Sequence, residues 1–287
     1  MTRHLLHIGY PKTATNFLRA WFDAHPQIAF KRGGFGGFPR FASIGSPSAL
    51  AAEPPRLRVS SSELLATPHA DVGQRVRYGA DGAAFADRQA RACATLAGLF
   101  PTAEVLIVTR GFRSMIQSSY SQYVRTGGTS SLAEFAASAL ENGAWNYDRL
   151  IALYAGAFGA ERLILLPWEL LRDRPEAFVA ELQTRFGLDP GPVPANRPNP
   201  ALPPAELRAQ LRLNRTLGSR MPLLTRLYAG GAPTNRLRRP LRALARLSSG
   251  ASQAEALDEA LVQAYRGQAA SLAGHPLFAP YAADYLF

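Results

Sequence analysis

Six consecutive residues, Pro11-Lys12-Thr13-Ala14-Thr15-Asn16, have the types and spacing to hold an anion. They follow the apolar run Leu5-Leu6-His7-Ile8 and precede Phe17 and Leu18, with Trp21 and Phe22 one turn further on. That order reads as a strand, a tight turn at Gly9 and Pro11, and the start of a helix. A helix start presents free backbone N–H groups and the positive end of the helix dipole. Lys12 adds a point charge there, and Thr13, Thr15 and Asn16 add side-chain donors. No Gly-Lys-Ser or Gly-Lys-Thr occurs in the run, so a nucleoside-triphosphate loop is not indicated. An ordinary capped helix behind a strand is the competing reading.

A second anion site is legible downstream. The run Glu104-Val-Leu-Ile-Val-Thr109 ends in Arg110, where a nucleotide triphosphatase would need an acid for its magnesium ion. Eight residues later Ser118 falls on the helix that follows. An arginine fork and a hydroxyl so placed can converge on one phosphate. Arg113 is a weaker candidate, and a strand-capping arginine beside an unrelated serine is the alternative.

A general base belongs near the end of a strand next to the first loop. The run Leu57-Arg-Val-Ser-Ser-Ser delivers Glu63 to that place. Glu63 could instead close a capping box with Ser60. His69, after Pro68, is the alternative base. His7 lies within a strand and reads as a packed core residue. The five histidines show no metal-ligand spacing, so no metal is expected.

These groups need a scaffold. Four strand-type runs stand out, Arg3–Ile8, Arg56–Ser60, Glu104–Thr109 and Arg162–Pro167. Helical patterns separate them at Thr15–His25, Phe85–Leu99, Ser114–Val124, Leu132–Leu140, Tyr147–Phe158 and Pro175–Phe186. The alternation predicts an α/β fold, a central parallel sheet with helices on both faces, with ligands at the carboxyl ends of the strands. Residues 1–190 form the expected core, with a Gly/Pro/Ser-rich insertion at 31–55. A proline-rich stretch at 187–204 leads to a basic, mostly helical extension at 191–287, packed on the same domain.

The formal net charge is +11. Such a balance suits nucleic acid, an anionic membrane surface, or an anionic cofactor and substrate. No helix-turn-helix, zinc-finger or RNP pattern supports nucleic acid. The arginine excess is concentrated between Arg208 and Arg246. Its stretch 236–246 could rest on an anionic membrane, or be a solvated helix face. The single cysteine, Cys93, excludes an intramolecular disulfide. No secretory signal or transmembrane run is visible, which suggests a bacterial cytoplasmic protein, with peripheral contact at the inner membrane as an option.

The loop Pro11–Asn16 resembles the 5′-phosphosulfate loop of the sulfotransferases that use 3′-phosphoadenosine-5′-phosphosulfate (PAPS). Ala14 stands where many members have glycine, and Asn16 where many have threonine or serine. Arg110 with Ser118, followed by Tyr120, resembles the family's 3′-phosphate motif. Asn146–Leu170 and Pro175–Leu188 are similar to its later helix–strand and helix units. The resemblance covers about residues 3–190. It implies a P-loop NTPase-like three-layer fold and transfer of a sulfuryl group from PAPS, without a metal, to an acceptor hydroxyl or amine on a carbohydrate, glycolipid or small metabolite. By the same resemblance Pro11, Lys12, Thr13, Ala14, Thr15, Asn16, Arg110, Ser118 and Arg197 bind the cofactor. Lys12 stabilises the leaving oxygen, and Glu63 is the base, as in the glycan-modifying branch rather than the cytosolic branch with its histidine. A small-molecule kinase and a non-catalytic relative that binds the desulfated product PAP are the alternatives.

Overall fold

The computed structural model describes residues 2–30, 55–66, 82–194, 203–218 and 257–287. Five parallel strands form one sheet: β1 (Arg3–His7), β2 (Ile28–Phe30), β3 (Leu57–Ser61), β4 (Glu104–Thr109) and β5 (Leu163–Pro167). Their order is β2-β3-β1-β4-β5. All four strand-type runs of the sequence are strands, each within a residue of its expected bounds. β2 was not expected. It is three residues long and follows a turn held by His25, whose ring accepts from the Gln27 N–H and donates to the Asp189 carbonyl. A run that short carries no periodicity to read.

Around the sheet lie α1 (Thr15–Ala24), α2 (Gly82–Leu99), α3 (Phe112–Arg125), α4 (Leu132–Glu141), α5 (Tyr147–Phe158), α6 (Trp168–Asp173) and α7 (Pro175–Phe186). The described residues continue with α8 (Pro204–Gly218), α9 (Glu259–Gln263) and α10 (Ala282–Tyr285). The helix bounds follow from local chemistry. Ser131 and Glu134 form a full capping box on α4, and Asn146 caps α5. Pro175 opens α7, and Gly187 closes it at φ 62, a left-handed conformation that suits glycine. α6 was not read, because six residues immediately behind a strand leave no helical period to detect.

β4 is buried along its whole length, as a central strand covered on both faces must be. α1 turns Phe17, Leu18, Trp21 and Phe22 into the same core. Each such side chain contributes about 1.5–3 kcal/mol on burial. At the amino end of β4, buried Glu104 is held by Arg3 and by Arg185 (Nε to Oε2, 2.6 Å). This carboxylate lies at the opposite end of the strand from Arg110 and serves the fold.

The strand order decides where a ligand can bind. From β1 the chain builds β2 and β3 on one side, then crosses to β4 on the other. The crevice between the carboxyl ends of β1 and β4 is therefore the topological switch point of the sheet.

Two histidines of β1 make the fold acid-sensitive. Burial, with help from Arg58, lowers His4 to a pKa of about 4. Burial, with help from Arg19, lowers His7 to about 3. Both ordinarily titrate near 6.5, so the unfolded chain binds more protons between the two values. Their stabilisation is complete above pH 6.5 and is lost as pH falls through about 4 and then about 3. For His4 alone the loss is about 3 kcal/mol. Urea midpoints are expected to fall between pH 7 and pH 4.5, and His4→Gln is expected to flatten that slope; an unchanged slope would contradict the assignment.

Two described segments of the carboxyl-terminal part, residues 203–218 and 257–287, pack on the core. In α8 the buried Asn214 side chain donates to the Val124 and Gly128 carbonyls (2.7 and 2.8 Å), capping the end of α3. Tyr265 donates to Ala136 O (2.6 Å), and Phe278 and Tyr285 are fully buried. Residues 31–54 of the insertion at 31–55, His69, Arg197 and the arginine-rich stretch 236–246 lie outside the described residues.

Candidate functional site

The first loop leaves β1 at the switch point and enters α1 through two left-handed residues. Lys12 and Ala14 both have φ 72, and Thr13 between them does not. Such alternation is the backbone pattern of an anion-binding nest. Ala14 stands at the N-cap and supplies no side-chain cap, so the first N–H groups of α1 have no side-chain acceptor from it. Thr13 donates to Tyr10 O (2.5 Å) and so braces the loop from within. Thr15 is buried, and among the described residues its Oγ1 has no hydrogen-bond partner. A buried hydroxyl left open at a helix start is suited to a ligand oxygen. Asn16 lies exposed on the first turn.

Ala14 accepts a conformation that costs a non-glycine residue about 1–2 kcal/mol. A β-branched side chain would fare worse. Ala14→Val is expected to lower stability by about 1–3 kcal/mol, whereas Ala14→Gly is expected to stay within about 1 kcal/mol. Chemical denaturation of the two variants checks this, and equal losses would contradict it.

Arg110 leaves the end of β4 and reaches across the crevice. Its Nη1 donates to Lys12 O at 3.0 Å, joining two segments 98 residues apart in the chain. Its Nε donates to Ser114 Oγ at 2.8 Å, and its guanidinium lies 3.7 Å from the centroid of the Trp168 ring. Ser118 follows Ser114 by four residues on α3 and so shares its face. Burial draws Arg110 below its ordinary pKa, while nearby Glu169 pulls the other way.

Glu63 begins a 3-10 turn two residues beyond β3. The β1–β3 ladder ends with His7 opposite Ser61, and Ser62 N then donates to His7 O at 2.9 Å. The pairing thus carries Glu63 to the loop. Lys12 registers the result. Its pKa is lowered by burial first, then by Arg125 and Arg110, and Glu63 acts in the opposite direction. The Oγ of Ser60, the capping partner considered for Glu63, lies 3.0 Å from His4 Nε2.

The structure therefore brings Arg110 against Lys12, with Glu63 close enough to act on Lys12, Thr15 at the start of α1 and Ser118 one turn beyond Ser114 on α3. Arg113 is not among them: it forms an exposed ion pair with Glu259. Three residues were missed. Ser114 could have been found from its spacing of four to Ser118. Arg125 enters from the far end of α3, and Trp168 enters from α6; neither carries a motif. Among the described residues no His, Cys, Asp or Glu cluster could hold a metal ion, and no helix is long and apolar enough to cross a membrane.

A parallel sheet of order β2-β3-β1-β4-β5, with the loop of residues 11–16 after β1 and Arg110 after β4, defines an α/β protein whose switch point lies between those two strand ends. The family model described as "Sulfotransferase family" matches residues 5–191. The chain belongs to that family, and its activity is transfer of a sulfuryl group. Among solved structures, a sulfotransferase from Alicyclobacillus acidocaldarius matches at 17% identity and a TM-score of 0.47, over 75% of this chain and 93% of that one. No curated protein matches the chain.

Proposed function

We propose that the donor is PAPS and that the acceptor is a hydroxyl, or an amine, on a carbohydrate, glycolipid or small metabolite. The observation that carries this reading is the Arg110–Lys12 bond across the switch point, which holds two anion-binding positions at a fixed relation. Two separate positions fit a donor with phosphate at both the 5′ and 3′ ends. The loop fits the first: its alternating backbone, Lys12 and the open Thr15 hydroxyl all favour an oxyanion. Arg110 and Ser118 fit the second, with Arg197 as a further candidate.

When bound, PAPS supplies the sulfuryl group and a phosphate leaving group. The chain's own residues do the rest. Residues 11–16 hold the 5′ end, and the Lys12 ammonium stabilises negative charge on the leaving oxygen. A carboxylate oxygen of Glu63 takes the proton from the acceptor hydroxyl. Arg110 and Ser118 fix the donor's far end, so that acceptor and leaving oxygen are aligned.

Incubation with PAPS and a panel of sugars, glycolipids and hydroxylated metabolites tests this. PAP is expected to be released in step with a sulfated product. Consumption of ATP γ-phosphate by the same panel, with no PAP released, would overturn the reading.

A further inference from the structure

Three consecutive residues at the end of β4 are each pinned by a different side chain. Thr109 Oγ1 meets the Tyr285 hydroxyl at 2.9 Å. The Tyr147 hydroxyl donates to the Arg110 carbonyl at 2.6 Å. The Gly111 N–H donates to Glu169 Oε1 at 3.0 Å. Tyr285 closes the set, donating to Glu169 Oε2 at 3.1 Å. A phenol has one proton to donate, and the Glu169 carboxylate accepts that bond; Thr109 therefore donates to the phenol oxygen. The result is a buried loop of bonds, Thr109 to Tyr285 to Glu169 to Gly111, that brackets Arg110 on both sides.

The packing around this loop is tight. Glu169 is fully buried, and Tyr285 is 1% exposed. A Cβ on Gly111 would come within 2.5 Å of Asp284 Cβ and 2.9 Å of its backbone oxygen, so α10 lies directly on Gly111. Tyr147 stacks on Phe112 with ring centroids 5.2 Å apart, and Phe112 and Tyr147 each contact Tyr285. Trp168, which carries the Arg110 guanidinium on its face, immediately precedes Glu169. Tyr147 of α5, Glu169 of α6 and Tyr285 of α10 thus hold Arg110 and its two chain neighbours.

We propose that Glu169 and Tyr285 are positioning residues for the 3′-phosphate cation. The carboxyl-terminal helix α10 is a structural part of the donor site through them. Neither side chain touches the ligand. They fix the backbone from which Arg110 reaches, and Glu169 supplies the compensating charge that keeps a half-buried guanidinium in place. This rests on the reading of Arg110 as the 3′-phosphate ligand.

The test is calorimetric binding of PAP and of 5′-AMP to the full-length protein and to Tyr285→Phe, Glu169→Gln and Thr109→Val. A purely structural defect weakens both ligands alike, whereas a displaced Arg110 weakens only the one that carries a 3′-phosphate. Tyr285→Phe keeps the ring and loses the bond; it is expected to reduce PAP affinity about tenfold with 5′-AMP unchanged, the scale of one buried charge-assisted bond. Thr109→Val is isosteric, and it carries the test if Tyr285→Phe does not fold. It is expected to shift the same ratio in the same direction. A PAP preference that survives in all folded variants would overturn the inference and leave the donor assignment standing. If the wild-type protein itself shows no PAP preference, the donor assignment fails, and the inference with it.

Discussion

Glu63→Gln is expected to lower kcat for sulfuryl transfer by about 10²–10⁴, with little change in donor affinity. β1 and β3 pair through His7 and Ser61, and the Ser62 N–H bond to His7 O extends the pairing one residue further. Glu63 is therefore delivered beside the loop that follows β1, where its charge acts on Lys12. Ser60, the capping partner considered for Glu63, lies within β3 with its Oγ 3.0 Å from His4 Nε2. Glutamine keeps the size and hydrogen-bonding reach of the side chain and cannot take a proton. Thermal midpoints of wild type and variant should agree. A loss smaller than about tenfold would place the base elsewhere, with His69 the next residue to change.

Lys12→Gln is expected to lower kcat by about 10²–10³, the usual scale for removing one donor from a developing oxyanion. Lys12 sits at φ 72, and glutamine makes the same demand on the backbone. The variant therefore tests the charge with little confusion from loop shape. The pH dependence carries a sign. Burial, Arg125 and Arg110 all disfavour the protonated amine, so the free enzyme should lose donor affinity at a pH below that of an ordinary lysine. Glu63 opposes that shift. In Glu63→Gln the alkaline limb should move to still lower pH. Movement to higher pH, or a Lys12→Gln enzyme with full kcat, would contradict the role.

Much of the architecture was legible because it rests on local patterns. Apolar runs gave four of the strands, and the i, i+4 spacing of Phe178, Leu182 and Phe186 gave α7. The loop and Arg110 were legible because each sits at a strand end, where chain order alone predicts convergence in a parallel sheet. What escaped was non-local or too short. β2 and α6 carry no period. Arg125 is brought near Lys12 by the length of α3, and its end is held by Asn214 of α8. Glu169, Tyr147 and Tyr285 meet around Arg110 from three elements, and no spacing in the chain announces that meeting. Arg113, the weaker candidate in the sequence, carries no strand-end position to fix its direction. One helical offset turned it outward to Glu259.

The proposed donor site is one that recognises a nucleotide with both 5′ and 3′ phosphates. Calorimetric titration of PAP beside 5′-AMP and ATP, with Arg110→Ala as the control, tests it most directly. Tight PAP binding, weak binding of 5′-AMP and ATP, and loss of the difference in Arg110→Ala are the predicted result. Equal binding of PAP and 5′-AMP by the wild-type protein would contradict it.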